Sequence, residues 1–278
     1  AKVERMRAVS RLRIPSKRKA EPMPEHASWL TLLLAYAKDT LSHNAGAIGD
    51  SIVAKHPATW QSFEPIVASL LVALLVVLVA LAVKARLADP NEAVVPDDGL
   101  TLRTFMEAFL GYFYDLAKSV MDAERAKKYF PIIGTSATFV FFSNIMALIP
   151  GLPVATSSLN ITLGCALVVF IYFNMVGIQT NGMGYIKHLM GPKWWLAPLI
   201  LPIEVISLCV RPITLAVRLM LNMAVDHLIL GIFLALVAVL VPLPVMALGI
   251  VVVIVQTLVF TLLTSIYIGL ATEHEEHH

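Results

Sequence analysis

The chain has 278 residues, of which 58% are hydrophobic and only 14% are charged. Its mean hydropathy of +0.78 is typical of a polytopic membrane protein and excludes a soluble globular domain. The net charge of +2 gives no indication of nucleic-acid binding.

The N-terminal arm, residues 1–62, combines a strongly basic start with one apolar patch. The patch, residues 29–37, ends in Ala35-Tyr36-Ala37. A basic start, an apolar core and an Ala-x-Ala ending are the marks of a secretory signal peptide. Because this core is short, we favour an interfacial helix over a signal peptide.

The membrane domain, residues 63–272, contains five apolar runs that are long enough to cross a bilayer as helices. The predicted spans are 65–83, 131–149, 159–176, 199–241 and 245–271. The fourth run is about 64 Å long as a helix, about twice the apolar thickness of a bilayer. It is therefore either two spans without room for a loop or one strongly tilted helix with bends at Pro202 and Pro212. The chain is then predicted to turn at Pro242-Leu243-Pro244.

Residues 100–129 are predicted to form an amphipathic helix on the membrane surface. Phe105, Phe109 and Phe113 recur at helical spacing, and charged residues occupy many of the positions between them. A soluble helix packed on a core has the same pattern, but no soluble core is expected in this chain. The predicted fold class is therefore all-α: about five transmembrane helices and one amphipathic surface helix, with the last two helices long and strongly tilted.

The distribution of basic residues predicts the topology. Residues 84–130 hold seven Lys and Arg and residues 177–195 hold two, whereas residues 150–158 and 242–244 hold none. With five spans, the positive-inside rule puts the first two of these segments and the C-terminus inside, and the N-terminus outside. The tail, residues 273–278, is predicted to be solvated.

No metal site and no cofactor are predicted. Cys165 and Cys209 lie in apolar runs, where a small buried hydrophobe is the expected role. Three amides within the membrane domain, Asn144, Asn160 and Asn174, are expected to form interhelical hydrogen bonds.

The fourth predicted span carries a stripe of polar side chains. At about 100° per residue, its members fall within an arc of about 100° on one helix face. They are Glu204, Ser207, Arg211, Arg218, Asn222 and Asp226. His227 points off the stripe, and Gln256 is a single uncharged polar residue in the middle of the fifth span. An ionisable group facing lipid costs about 2.5–3.5 kcal/mol, so the stripe must face protein, water or other charges.

Arg218 is the stripe residue that ion pairs within this helix do not explain. Glu204 is a suitable partner for Arg211, two turns away, but no acid lies three or four residues from Arg218. Since arginine stays charged at any accessible pH, a partner must come from another helix or another subunit. Ion pairs that only join helices are one interpretation of the stripe; an intramembrane arginine without an acid in its own helix favours a functional site.

The order of these residues resembles a known family. The pattern is Glu204-x-x-Ser207-x-x-x-Arg211-Pro212-x-Thr214-Leu215-x-x-Arg218-Leu219-x-x-Asn222-Met223. It is similar to subunit a in the membrane FO sector of rotary F-type ATP synthases, and the resemblance extends over roughly residues 60–272.

The resemblance implies a role for each residue of the stripe. Arg218 corresponds to the family's essential stator arginine. Glu204 and Ser207 match the cytoplasmic half-channel, and Asn222, His227 and Gln256 match the opposite half-channel. Asp226 is expected to serve that second half-channel. Arg211 and Gly249 are expected to have secondary roles in ion translocation.

The implied function is a stator channel that passes protons or Na⁺ to and from the carboxylates of a rotating c-ring, with Arg218 keeping the half-channels separate. The chain has no nucleotide motif, so it is expected to be a non-catalytic, ion-translocating subunit. Implied partners are the c-ring proteolipids, peripheral-stalk b-type subunits, the F1 sector through the complex, and membrane lipid. The implied location is a bacterial inner (plasma) membrane or, alternatively, an organellar inner membrane.

A secondary ion transporter is the alternative function. Such transporters show inverted repeats and paired broken helices, whereas the two halves of this chain share no visible repeat and the polar stripe lies on one helix only.

Three positions depart from the family pattern. Related subunits often carry an acid at the position of Ala147, and many pair a small residue at the position of Asp226 with His or Glu at that of Gly249. We therefore expect Asp226 to approach Gly249, whose missing side chain makes room for the carboxylate. Counting from the predicted turn leaves the two positions about 16 Å out of register.

Overall fold

The computed structural model describes residues 28–36, 63–86, 99, 101–149, 151–152, 154–182, 184–185, 195, 197–236 and 242–272. The regular structure of these residues is helical. Its elements are α1 (Trp29–Tyr36), α2 (Glu64–Arg86), α3 (Leu102–Val120), α4 (Ala123–Leu148), a 3₁₀ turn (Ala155–Ser157), α5 (Leu159–Asn181), α6 (Ala197–Leu236) and α7 (Pro242–Thr272). The basic start of the arm and the tail at 273–278 lie outside the described residues.

The prediction of an all-α membrane protein is confirmed. Within the described ranges five helices, α2 and α4 to α7, are long and apolar enough to cross a membrane. Of the two arrangements predicted for the fourth run, the structure has the single helix: α6 is continuous over 40 residues and contains Pro202 and Pro212. At about 60 Å it is roughly twice the apolar thickness of a bilayer, so it must tilt or bend within one.

The boundary between α3 and α4 corrects the predicted bounds of the surface helix and the second span. Met121 has an extended backbone that ends α3 at Val120, and α4 begins at Ala123 and continues through Pro131. Acidic side chains explain the early start, because negative charge is favourable at a helix N-terminus. Glu124 lies in the first turn, and Asp122 pairs with Arg125 at 2.6 Å.

The surface helix α3 packs against α4 through aromatic rings. The ring centroids of Phe105 and Phe109 lie 6.0 and 4.7 Å from that of Phe141 on α4. Arg103 is buried in α3 and pairs with Glu107 at 2.8 Å. Phe105 and Phe109 of α3 therefore pack against the bundle through α4.

Residues 28–36 dock at the end of the bundle where α4 connects to α5, which we call the outer end. The Trp29 amide donates to the Gly151 carbonyl at 3.0 Å, and the Ser28 hydroxyl donates to the Glu64 carboxylate. Gly151 has a φ of +89°, and a Cβ there would lie 3.0 Å from the Trp29 indole nitrogen. Glycine is thus required by both conformation and space. The opposite end of the bundle, where α5 ends and α7 finishes, is the inner end.

Two prolines that the sequence places in a turn lie in α7. Because α6 ends at Leu236 and α7 begins at Pro242, Pro242 and Pro244 belong to the first turn of α7 and not to the turn between helices. Proline fits there because the first amides of a helix have no intrahelical acceptor. The predicted turn at 242–244 is corrected accordingly.

Candidate functional site

The polar stripe of α6 runs along the border between the buried and exposed faces of that helix. Leu215 and Leu219 on one side pack in the central core, whereas Leu221 and Leu228 on the other side are exposed. Of the six stripe residues, Ser207 and Arg218 are exposed, and the other four are partly buried. The stripe is therefore accessible from the surface of the bundle as well as from its interior.

Arg218 lies near the middle of the stripe, and its side chain is exposed. In the part of the chain that the structure describes, no residue forms a hydrogen bond or an ion pair with its guanidinium group. Exposed apolar side chains, among them Leu221 and Val225, lie on the same side of the helix. A charge on such a surface would cost about 2.5–3.5 kcal/mol against lipid.

On the inner side of Arg218, the Arg211 guanidinium contacts two groups that attract a cation. Its Nη2 lies 3.9 Å from Glu204 Oε1 on the same helix, as the sequence predicts. Its guanidinium carbon lies 5.4 Å from the ring centroid of Tyr267 on α7. Ser207 lies between Glu204 and Arg211 in the sequence of α6, and its side chain is exposed. Sequence reasoning missed Tyr267, because no local pattern indicates which residue of α7 faces Arg211.

On the outer side of Arg218, the stripe meets α7 through two amides. The Asn222 Nδ2 donates to Gln256 Oε1 at 2.6 Å, which brings together two residues that the resemblance assigns to one half-channel. Gln256 is buried. An open groove of about 340 Å³ lies beside this pair, lined by Asn222, Asp226 and valines of both helices.

A smaller cavity of about 40 Å³ lies at the outer end between α4, α6 and α7. Asn144, Asp226, His227 and Gly249 all contribute to its lining. Since a buried water needs about 10–15 Å³ on this measure, the cavity has room for about three waters. The structure therefore brings Asp226, His227 and Gly249 together around one cavity, whose lining is mostly apolar.

Asn144 belongs to this cavity, although its sequence context predicts only helix packing. Its Oδ1 accepts a hydrogen bond from the Thr156 hydroxyl at 3.2 Å, while its buried Nδ2 has no acceptor among the described residues. A buried donor of this kind favours an ordered water in a polar cavity. One sequence feature could have indicated that Asn144 lies at this cavity: it is three residues before Ala147, on the same helix, and Ala147 also lines the cavity.

The space beside Gly249 is occupied by Leu148 of α4 and not by the Asp226 carboxylate, which corrects the expected reason for this glycine. A Cβ on Gly249 would lie 2.4 Å from Leu148 Cδ1. The hydrogen bond between Asn222 and Gln256 sets the register of α6 and α7. In this register Asp226 and Gly249 are offset by three residues, or about 4.5 Å, instead of the expected 16 Å or so.

Comparisons with known proteins show what this chain is similar to. The family described as ATP synthase A chain matches residues 66–269, a range that begins within α2 and ends within α7. The chain is 57% identical over 256 residues to the ATP synthase subunit a of Sorangium cellulosum (strain So ce56), covering 92% of this chain and 100% of that protein. It is 45% identical over 203 residues to ATP synthase subunit a 1 of Syntrophotalea carbinolica, covering 73% of this chain and 83% of that protein. It is 46% identical over 167 residues to the ATP synthase subunit a of Geobacter sulfurreducens, covering 60% of this chain and 72% of that protein.

The contact between Gly249 and Leu148 predicts a steric effect on stability. Gly249→Ala should destabilise the protein by about 0.5–1.5 kcal/mol relative to the control, because the added methyl group forces the end of the Leu148 side chain away from its rotamer. Gly164→Ala is the matched control, since a Cβ at this α5 glycine meets no atom within 4 Å. The measurement is the thermal unfolding midpoint of the purified protein in detergent. Equal midpoints for the two variants would contradict the proposed overlap.

Proposed function

The chain belongs to the ATP synthase A chain family, and from that premise we propose that it is the stator ion channel of the enzyme's membrane sector. It is a multi-pass membrane subunit of the ATP synthase and takes part in ATP synthesis and ion transport. In the proposal, two aqueous half-channels reach Arg218 from opposite sides of the membrane. The observation that carries the proposal is the exposed Arg218, which has no counter-charge among the described residues and lies between two polar clusters.

The counter-charge for Arg218 is proposed to be the carboxylate of a rotating c-ring. A ring carboxylate crosses lipid neutral, with its ion bound, and becomes ionised when it faces a fixed cation. At 4 Å and an effective dielectric constant of 20, the attraction between the two charges is about 4 kcal/mol. This attraction favours the ionised form of the ring carboxylate beside Arg218. The carboxylate therefore releases its ion to one half-channel and takes up a new ion from the second half-channel.

The exposed apolar surface around Arg218 fits such a partner. Val210 and Leu221 of α6 and Val251 and Val255 of α7 are exposed on the described chain. A ring of apolar hairpins would cover these side chains while its carboxylates pass the guanidinium. Because Arg218 also repels cations, it would prevent ions from leaking directly between the half-channels.

The inner half-channel is proposed to use Glu204 and Ser207, with Arg211 in a secondary role. These residues lie on the inner side of Arg218, where basic residues predict the cytoplasm. Ser207 is exposed and Glu204 is partly buried beside Arg211. A carboxylate and a hydroxyl on one helix face can hold water and transfer ions toward Arg218.

The outer half-channel is proposed to use the cavity with Asp226 and His227. The hydrogen-bonded Asn222 and Gln256 lie between that cavity and Arg218 along α6. Asn144 adds an amide whose Nδ2 has no acceptor within the described ranges, which suits a water in this path. The nature of the ion, H⁺ or Na⁺, is set by the binding site of the ring.

The remaining partners follow from the family. We propose that peripheral-stalk b-type subunits hold this chain against rotation and that the F1 sector, which carries the nucleotide chemistry, is reached through the complex. The bacterial relatives favour the inner (plasma) membrane of a bacterial cell as the location. Moving one charge through 100 mV is worth about 2.3 kcal/mol, so several ions must pass for each ATP.

Arg218→Ala should abolish coupled transport. Losing an attraction of about 4 kcal/mol corresponds to a rate loss of roughly 1000-fold. The measurement is ATP-driven acidification of inverted membrane vesicles, with immunoblots of this chain and the ring to establish assembly. Arg211→Ala is the control and should retain most of the activity. Normal acidification by the assembled Arg218→Ala complex would refute the role of Arg218.

A cysteine at position 207 should react with a membrane-impermeant thiol reagent added from the cytoplasmic side. Ile206→Cys is the matched control, because positions 206 and 207 are adjacent and both exposed. The thiolate is the reactive form of cysteine, and apolar surroundings suppress it. If position 207 faces an aqueous path, Ser207→Cys should therefore react at least roughly tenfold faster than Ile206→Cys. Both native cysteines, Cys165 and Cys209, are first replaced by alanine. Equal labelling rates would argue against an inner half-channel on this face.

Asp226→Gly should slow ATP-driven pumping by roughly 100-fold, the scale of a lost acid–base group. Adding Gly249→His should recover part of the rate once Leu148→Ala provides room for the imidazole. Gly249→His alone should harm pumping, because it overlaps Leu148. Leu148→Ala alone is the control. Purely additive effects would mean that positions 226 and 249 act independently.

A further inference from the structure

The residues at the start of α1 make contacts at the outer end that the proposed function does not use. The Trp29 amide donates to the Gly151 carbonyl at 3.0 Å, and the buried Ser28 hydroxyl donates to the Glu64 carboxylate. Gly151 belongs to the connection between α4 and α5, residues 149–158, and Glu64 is the first residue of α2. The start of α1 is therefore bonded to two separate parts of the bundle.

Apolar packing joins α1 to the same connection. Leu30 packs against a cluster of buried side chains, which consists of Ala68 and Val72 of α2, Met146 of α4 and Ala155. Ala155 is the first residue of the 3₁₀ turn in the connection. Both the backbone of α1 and one of its apolar side chains thus contribute to holding the connection against the bundle.

The 3₁₀ turn needs such support from outside. It has three residues, Ala155–Ser157, and among the described residues no side chain caps its N-terminus with a hydrogen bond. Hydrogen bonds in 3₁₀ turns have poor geometry, so a single turn contributes little stability of its own. The position of this turn therefore depends on the elements that pack around it.

This turn carries Thr156, which holds a side chain of the outer cavity. The Thr156 hydroxyl donates to Asn144 Oδ1 at 3.2 Å, and both side chains are fully buried. Asn144 lines the cavity together with Asp226 and His227. An amide offers an acceptor at one end and two donors at the other, so the bond from Thr156 determines which group remains available to water in the cavity.

We propose that residues 28–36 are a positioning element of the outer half-channel: α1 holds the α4–α5 connection in place, so that Thr156 keeps the Asn144 amide in one orientation at the ion path. This inference rests on the proposed function, since it assumes that the cavity with Asp226 and His227 conducts the ion. When α1 is detached, the connection shifts, the bond between Thr156 and Asn144 is lost, and ion transfer through the outer half-channel slows.

The test compares two substitutions of Trp29 in the assembled complex, with ATP-driven pumping by inverted vesicles as the readout. Trp29→Ala removes the indole ring and keeps the amide donor, whereas Trp29→Pro removes both. Proline is tolerated in the first turn of a helix, and Trp29 is the first residue of α1. Trp29→Pro should pump about threefold more slowly than Trp29→Ala, which is the scale of one lost hydrogen bond.

The same comparison is then made in a Thr156→Val background, which lacks the hydroxyl that holds Asn144. Thr156→Val itself should slow pumping roughly threefold to tenfold, because it leaves the buried Asn144 Oδ1 without its donor. In that background Trp29→Pro and Trp29→Ala should pump equally, since α1 no longer has a bond to maintain. A segment that only anchored the chain at the membrane surface would give the same ratio in both backgrounds.

Tyr36→Ala is the control for losing an aromatic side chain from α1, because Tyr36 lies at the other end of the helix and is 98% exposed. It should pump at the parent rate. If immunoblots show that Trp29→Pro does not assemble, Leu30→Ala takes its place, since it weakens packing on the cluster that contains Ala155. It should slow pumping about twofold, and only while Thr156 is present.

Equal pumping by Trp29→Pro and Trp29→Ala in the parent background, or the same ratio between them in both backgrounds, would overturn this inference. Arg218→Ala is measured in the same preparation. If Arg218→Ala pumps normally, the proposed function itself fails; if it is inactive while Trp29→Pro pumps as fast as Trp29→Ala, only the positioning role of α1 fails.

Discussion

The cost of placing a charge in lipid governs how this chain is built. Each ionisable side chain of α6 must meet water, another charge or a protein partner, since lipid exposure costs about 2.5–3.5 kcal/mol. Neighbouring helices meet that requirement at most stripe positions: Tyr267 covers Arg211, Gln256 binds Asn222, and a cavity adjoins Asp226. Arg218 is the exception among the described stripe charges, because it stays exposed without a partner.

The antiparallel register of α6 and α7 is what makes this distribution possible. Arg211 faces Tyr267 and Asn222 faces Gln256, and both pairs have the same midpoint in the sequence. The two helices therefore keep one register over about three turns, from Arg211 to Asn222, and Arg218 lies within that stretch. A shift by one residue would turn Gln256 away from Asn222 by about 100° and leave both amides without partners.

Glycines and small residues set how closely the other helices approach this pair. Gly249 admits Leu148 of α4 at the outer end, and Gly177 admits the Tyr185 ring at the inner end. The cavity on the outer side of Arg218 is consequently bounded by α4 as well as by α6 and α7.

The sequence alone determined the all-α class, the five apolar spans, the polar face of α6 and the pairing of Glu204 with Arg211, because helical periodicity and hydrophobic length are local properties. Local patterns misjudged where elements meet: Pro131 suggested a helix start although α4 continues through it, and Pro242 and Pro244 suggested a turn although both lie in α7. Only the tertiary structure decided that Tyr267 lies near Arg211, that Asn144 lines the outer cavity and that Leu148 fills the space at Gly249. These contacts join residues far apart in the chain, and they depend on the register and rotation of whole helices, which side-chain packing between helices selects.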